Sequence, residues 1–273
     1  MTGRGVLITG GSGGIGRAAV RRFALAGDRV WFTYRTHRAD ALALEAELAA
    51  AGADATGLPF DQGDWASHQR LAASLPGPVD VLVNNAAVGS KTVERHVPGP
   101  AEERDAAFMR INTVGPLWLI RQLLPAMRER GRGTIINIAS VGGGVAAFPG
   151  FHLADGMSKA ALAYLTRQLA AELAHEGVDV FAICPGAVDT PMLAASTLDA
   201  LDAAERAELV GRLPKGRLIE PEEIAELVWW LAGDAARVLH GAVLDASLGL
   251  GVHPGLLTGR AATGRDTTRG STG

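Results

Sequence analysis

Val6-Leu7-Ile8-Thr9-Gly10-Gly11-Ser12-Gly13-Gly14-Ile15-Gly16 decides the fold of this chain. A short apolar run stops at a glycine cluster, and a helical pattern, Ile15 to Leu25, starts immediately after it. A strand that feeds a glycine turn into a helix brings bare backbone amides to a helix N-terminus, where partial positive charge favours a diphosphate. By itself such a turn is weak evidence, because Gly11 and Gly13 would also suit an ordinary tight turn. Its place after the first strand, with Asn84-Asn85-Ala86-Ala87 ending a later one, points to a dinucleotide site or its relic.

Outward from that stretch, short apolar runs alternate with longer helical patterns. Strands are expected at Val6 to Ile8, Val30 to Phe32, Val79 to Val83, Thr134 to Ile138, Val178 to Ile183 and Ala242 to Leu244. Helices are expected at Ile15 to Leu25, Ala39 to Ala51, Trp65 to Leu75, Gly115 to Arg130, Met157 to Glu176 and Glu222 to Ala232. Strands apolar on both faces belong to a parallel sheet covered by helices on each side. The expectation is a single α/β domain over residues 1–255, doubly wound, with residues 256–273 as a disordered tail rich in Gly, Thr and Arg. Thr190 to Arg212 interrupts the alternation after a strand's carboxyl end, the place for a substrate lid or for an ordinary surface helix pair.

Composition narrows the function. Of 273 residues, 48% are hydrophobic, yet no apolar run is long enough to span a membrane. The start lacks the pattern of a signal peptide, so a cytoplasmic location is expected. One cysteine, Cys184, excludes an intrachain disulfide and a cysteine-built metal site, and no metal is expected. A net charge of −3 with scattered basic residues does not suit a nucleic-acid binder, which leaves a small-molecule substrate as the partner.

The glycine stretch, Asn84-Asn85-Ala86-Ala87, Asn112, Ser140, Lys159 and Pro185-Gly186 together resemble the short-chain dehydrogenase/reductase family, in its 3-oxoacyl-ACP reductase-like branch. The resemblance runs from about Val6 to about Val252. It implies a Rossmann fold with a sheet of about seven strands, and NAD(P)-linked oxidoreductase chemistry. It further implies that Gly10, Ser12, Gly14, Ile15 and Gly16 cradle the cofactor phosphates, that Asn85 and Ala86 line the adenosine side, and that Asp61 contacts the adenine. Pro185, Gly186 and Thr190 would meet the nicotinamide end. In the family the serine, here Ser140, positions a substrate carbonyl, the lysine, here Lys159, holds the nicotinamide ribose, and the asparagine, here Asn112, supports a proton relay. Homodimers or homotetramers built on the helices from Gly115 and Met157 are also implied.

Phosphate preference follows from charge. An acid ending the second strand would repel a 2′-phosphate, but Tyr34 stands there, with Arg35, Arg38 and Arg17 close by to pair with a dianion. NADP(H) is therefore the expected cofactor; Arg35 and Arg38 could alternatively be solvated charges at a helix start.

Asp155 departs from the family pattern. It stands four residues before Lys159, where the family carries the tyrosine that transfers a proton. An unperturbed carboxyl titrates near ~3.9 against ~10 for a phenol, and a neighbouring ammonium lowers it further, so an ionised Asp155 paired with Lys159 is expected unless burial intervenes. Neither Tyr34 nor Tyr164 is placed to substitute, since the first belongs to the adenosine end and the second lies off the Lys159 face; His152 is a candidate in the loop entering the helix. Cys184 is expected to be a small buried group, without a basic partner to make it a nucleophile. Three functions remain open. The favoured one is an NADP(H)-dependent oxidoreductase acting on a small carbonyl, alcohol or imine with an atypical proton-transfer residue. The others are a non-redox lyase or isomerase using Asp155 as base, and a catalytically silent subunit.

Overall fold

The computed structural model describes residues 3–253. Seven strands form one parallel sheet: β1 Gly5–Ile8, β2 Arg29–Tyr34, β3 Ala55–Pro59, β4 Val81–Asn84, β5 Gly133–Ile138, β6 Val178–Pro185 and β7 Val243–Ala246. Their spatial order is β3-β2-β1-β4-β5-β6-β7, with every neighbouring pair parallel. Order reverses between β1 and β4, and at such a switch point the strands' carboxyl ends open a crevice.

Alternate residues of each strand feed two separate cores. Val6, Ile8, Val30, Phe32, Val81 and Val83 pack on one side with Val20 and Phe23 of α1 (Gly14–Leu25) and with residues of the helix 221–231; α2 (Arg38–Ala50) adds Leu44 and Leu48. Leu7, Trp31, Leu82, Ile135 and Val180 face the other side. There they meet Leu71 of α3 (Trp65–Ser74), and Leu119, Leu123 and Met127 from the helix 115–129. This two-faced burial is the reason for the continuous apolar strands.

The remaining helices are α4 (Thr92–His96), α5 (Ala101–Met109), α6 (Gly115–Glu129), the short turn α7 (Val141–Gly144), α8 (Leu153–Glu172), α9 (Pro191–Leu193), α10 (Ala203–Arg212) and α11 (Pro221–Leu231). A π-helical turn, Arg110–Val114, joins α5 to α6. Such turns widen the helix and leave carbonyls free for other donors, and here Gln62 Nε2 donates to the Ile111 carbonyl at 2.7 Å.

Two sequence expectations change. The strand β3 was not foreseen, because Gly57 and Pro59 disguise it; both are tolerated because β3 is the sheet's edge, where a missing N–H costs no ladder bond. The helix expected at Met157 to Glu176 instead runs Leu153–Glu172, since His152 caps it a turn earlier, accepting the Asp155 N–H at Nδ1 (3.4 Å). The tail expected at 256–273 lies outside the described residues. Among those described, no helix is long and apolar enough to cross a membrane.

Candidate active site

The glycine turn is held from two directions. Thr9 Oγ1 accepts the backbone N–H groups of Asn85 (3.0 Å) and Ala86 (2.9 Å), and Asn85 Nδ2 donates to the carbonyls of Thr9 (2.9 Å) and Gly10 (3.2 Å). These bonds tie the end of β4 to the end of β1. Gly10 (φ 68°) and Gly14 (φ 51°) adopt the left-handed region. A Cβ on Gly16 would strike the Gly10 carbonyl oxygen and stand 2.6 Å from Asn85 Nδ2. Gly13, the N-cap of α1, provides no side-chain cap, the first turn carries no acid, and nothing lies within 4 Å of where its Cβ would be. Uncapped N–H groups around an open, side-chain-free cradle fit a diphosphate. Ser12 and Ile15 are half-buried in the same turn.

At the adenosine end the arginines differ from expectation. Arg17 Nη2 is drawn to Glu47 Oε2 (3.3 Å), which also takes Arg21 (2.7 Å), so Arg17 belongs to a helix-to-helix ion pair. Arg35 instead faces Asp61, with Nε 3.9 Å from Oδ2. Asp61 Oδ1 accepts the Gly63 N–H at 2.8 Å, which fixes its turn. Arg35 and Asp61 open into a cavity of about 230 Å³ that Trp65, His96 and Arg110 also line. Trp65, His96 and Arg110 were missed in the sequence. Arg110 stands two residues before Asn112 in the π-turn, and that spacing was the available signal.

Asn112 is buried and wholly committed. Its Oδ1 accepts the Val88 N–H (2.8 Å), and its Nδ2 donates to the Val88 carbonyl (3.0 Å) and to Ser158 Oγ (3.1 Å). Ser158 Oγ in turn donates to the Asp155 carbonyl (2.7 Å). The π-turn, the loop after β4 and α8 are thereby locked together. Ser140 follows β5 and caps α7, its Oγ accepting the Gly142 N–H at 3.2 Å. α7 packs on α8 so closely that a Cβ on Gly143 would strike the Gly156 carbonyl. The short turn that Ser140 caps therefore sits beside the first turn of α8.

Asp155 and Lys159 share one face of that helix, opposite the exposed Leu153, Met157 and Tyr164. Lys159 is buried and its Nζ donates to the Ile138 carbonyl at 3.4 Å. Burial pushes the Lys159 ammonium down from its ordinary range, against the opposing pull of Asp155 and Cys184. Two expectations for Asp155 need correction. Among the described residues no ion pair joins it to Lys159, and its carboxyl is pushed up rather than down. Burial is the larger cause, outweighing the lowering effects of Lys159 and His152. Its Oδ1 is buried with no hydrogen-bond partner. His152 is occupied as the helix cap and its ring lies 4.9 Å from that of Phe108, so packing and capping account for it. Cys184 is buried and its thiol is pushed up to about 11, chiefly by burial, which keeps it neutral.

The loop after β6 closes the other wall. Pro185 pairs with Ala246 across β6 and β7, and a Cβ on Gly186 would stand 3.0 Å from Ser247 Cα. Thr190 caps α9, accepting the Leu193 N–H at 3.3 Å, and its methyl group would lie 3.1 Å from a Cβ on Gly14. The expected insertion is thus α9, a π-turn Ala194–Leu198, and α10. Met192 rests against Gly89, where a Cβ would meet its Sδ at 3.3 Å, so the insertion starts by leaning across the loop after β4.

A doubly wound parallel sheet with a diphosphate cradle at its switch point defines a dinucleotide-dependent α/β oxidoreductase. The chain belongs to the short-chain dehydrogenase/reductase family: residues 10–251 match the family described as enoyl-(acyl carrier protein) reductase. It is 35% identical over 253 residues to acetoacetyl-CoA reductase of Rhizobium meliloti, covering 90% of this chain and 98% of that protein. Among solved structures it is similar to a variant of actinorhodin polyketide ketoreductase with NADPH (TM-score 0.82, 33% identity, 92% of this chain and 99% of the other). It is also similar to the Pseudomonas aeruginosa RhlG/NADP active-site complex (TM-score 0.80, 32% identity, 92% and 97%).

Proposed function

We propose that this protein is an NADP(H)-dependent oxidoreductase of a small carbonyl, alcohol or imine, in which Asp155 stands where the family places its proton-transferring tyrosine. One observation carries the reading. The carboxyl ends of four adjacent strands carry the cradle Gly10 to Gly16 (β1), Asn85 and Ala86 (β4), Ser140 (β5) and Pro185-Gly186 (β6), along one edge of the sheet. A groove intact at both ends favours redox chemistry over a lyase, an isomerase or a silent subunit.

When bound, the cofactor supplies or accepts a hydride at its nicotinamide end. Gly10, Ser12, Gly14, Ile15 and Gly16 would hold the diphosphate, Asp61, Asn85 and Ala86 the adenosine, and Pro185, Gly186, Thr190 and Lys159 the nicotinamide nucleoside. Arg35, whose contact with Asp61 is long at 3.9 Å, could turn to a 2′-phosphate, whereas Arg17 would have to leave Glu47. Ser140 would orient the substrate's polar atom, and Asn112 would keep the catalytic helix in register rather than carry the proton through its side chain. Asp155, shorter than a tyrosine by a ring, leaves space that the substrate fills.

The same reading takes residues 1–255 as one catalytic domain and the protein as a homodimer or homotetramer. Leu153, Met157 and Tyr164 expose an apolar stripe along α8, at 83%, 60% and 64% exposure, which a second copy would cover. Native mass measurement should show a dimer or tetramer; a monomer at micromolar concentration would remove this part. The functional test is NADPH consumption against a panel of ketones, aldehydes and cyclic imines, beside NADPH binding by fluorescence. Binding with turnover of at least one class is expected. Binding without any turnover would favour the silent-subunit reading.

A further inference from the structure

The surroundings of Asp155 are short of one donor. Lys159 Nζ is directed at the Ile138 carbonyl, Ser158 Oγ donates to the main chain of Asp155 rather than its carboxyl, and both Asn112 amide hydrogens are committed. His152 uses Nδ1 to accept the Asp155 N–H. Further off are Cys184 of β6, a neutral thiol, and two groups that act on that thiol, the acid Asp245 of β7 and the cation Arg167 of α8, for neither of which a contact with Asp155 is seen among the described residues. Asp155 Oδ1 is thus a buried acceptor that nothing in the described chain satisfies. Orphan acceptors of this kind are rare and costly in folded proteins, and at a functional site they mark where a ligand donor belongs.

A hydroxyl or an N–H can supply the missing donor, and the two differ in charge. A ketone oxygen is only an acceptor, so it satisfies Ser140 and gives an Asp155 carboxylate nothing. A protonated C=N nitrogen donates a hydrogen bond and brings a positive charge into a pocket where the hydrogen bond of the Lys159 ammonium goes to the Ile138 carbonyl rather than to Asp155. Resting on the oxidoreductase reading above, we propose that the pocket selects a nitrogen substrate, a cyclic imine or its iminium ion, with Asp155 as the residue that pairs with the nitrogen. The C=N π pair moves to nitrogen as the carbon gains a hydride from the dihydronicotinamide, giving the amine and the oxidised cofactor. If the substrate enters as iminium, no proton is needed during the step and the carboxylate stays ionised. If it enters as neutral imine, a protonated Asp155 gives its proton to nitrogen and regains one from solvent after release. The upward displacement of the carboxyl by burial brings it closer to an imine's own basicity and serves this second route. A site built to pair with a donor discriminates strongly against an analogue lacking it.

The test uses the full chain with NADP⁺ or NADPH, and the probes are pyrrolidinium and cyclopentanol for binding, 2-methyl-1-pyrroline and cyclopentanone for turnover. Calorimetry should show pyrrolidinium binding the NADP⁺ complex at least about tenfold tighter than cyclopentanol. Asp155→Asn should erase that preference while leaving NADP⁺ affinity and thermal stability near wild type. Asp155→Glu should restore part of it. NADPH should be consumed with the pyrroline, with kcat/KM falling at least about tenfold in Asp155→Asn. Equal binding of pyrrolidinium by wild type and Asp155→Asn, including no binding by either, overturns the inference, as does preferred turnover of cyclopentanone. Neither result touches the oxidoreductase reading, which fails separately if the wild type does not bind NADP(H).

Discussion

The two ends of the crevice are built in opposite ways. At the glycine end the frame is bonded to itself, Thr9 and Asn85 tying the turn to β4 so tightly that a methyl group on Gly16 has nowhere to go, while the first N–H groups of α1 stay without a side-chain cap. At the Asp155 end the frame is equally tight, through Asn112, Ser158 and the α7–α8 contact, but among the described residues the buried Oδ1 of the carboxyl inside it has no donor. An end with an orphan acceptor is specific to whatever completes it.

That contrast can be broken or sharpened by mutation. The largest effect should come from Asp155→Tyr, which returns a phenol to the place the family reading assigns it. Ketone reduction should rise by about 100-fold, the scale of general acid catalysis, while pyrroline turnover falls; no gain would mean the ends differ by more than this side chain. Gly16→Ala should weaken NADPH binding by roughly 30-fold in a fluorescence titration, because the backbone around it cannot yield. Unchanged affinity would show the cradle to be looser than its contacts imply. Arg35→Ala should raise the NADPH dissociation constant about tenfold and leave NADH unaffected, with Arg17→Ala changing both little. Equal losses for the two cofactors would place the 2′-phosphate elsewhere. The smallest effect should be Lys215→Gly. Lys215 is exposed and held at φ 62°, a conformation that costs a non-glycine residue about 1–2 kcal/mol, so after the entropy of glycine is subtracted the melting temperature should rise by roughly 2 °C.

The same contrast explains what was legible in the sequence. The glycine end could be read because its chemistry is backbone chemistry, and glycines at positions 10, 14 and 16 following a strand admit few alternatives. Strands apolar on both faces gave away the parallel sheet, and only β3 was hidden, because an edge position tolerates Gly57 and Pro59. The identity of Asp155 was plain, but the direction in which its surroundings move its carboxyl was not. Spacing alone places an acid four residues before a lysine and predicts an ion pair; it does not reveal that Lys159 turns to the Ile138 carbonyl or that burial outweighs its charge. The Arg17 contact with Glu47 was not legible for the same reason, since Glu47 lies 30 residues away in sequence and only the packing of α1 beside α2 brings them together.

The most direct measurement is the titration of the Asp155 side-chain carboxyl by ¹³C NMR, assigned by subtracting the Asp155→Asn spectrum, with and without pyrrolidinium in the NADP⁺ complex. The free carboxyl should titrate above the ordinary ~3.9 of an aspartate, because burial favours the protonated form. On adding pyrrolidinium the midpoint should fall, since a cationic donor favours the carboxylate. A midpoint at or below ~3.9 that does not move with the ammonium would mean that Asp155 already has its partner, and the central claim would be wrong.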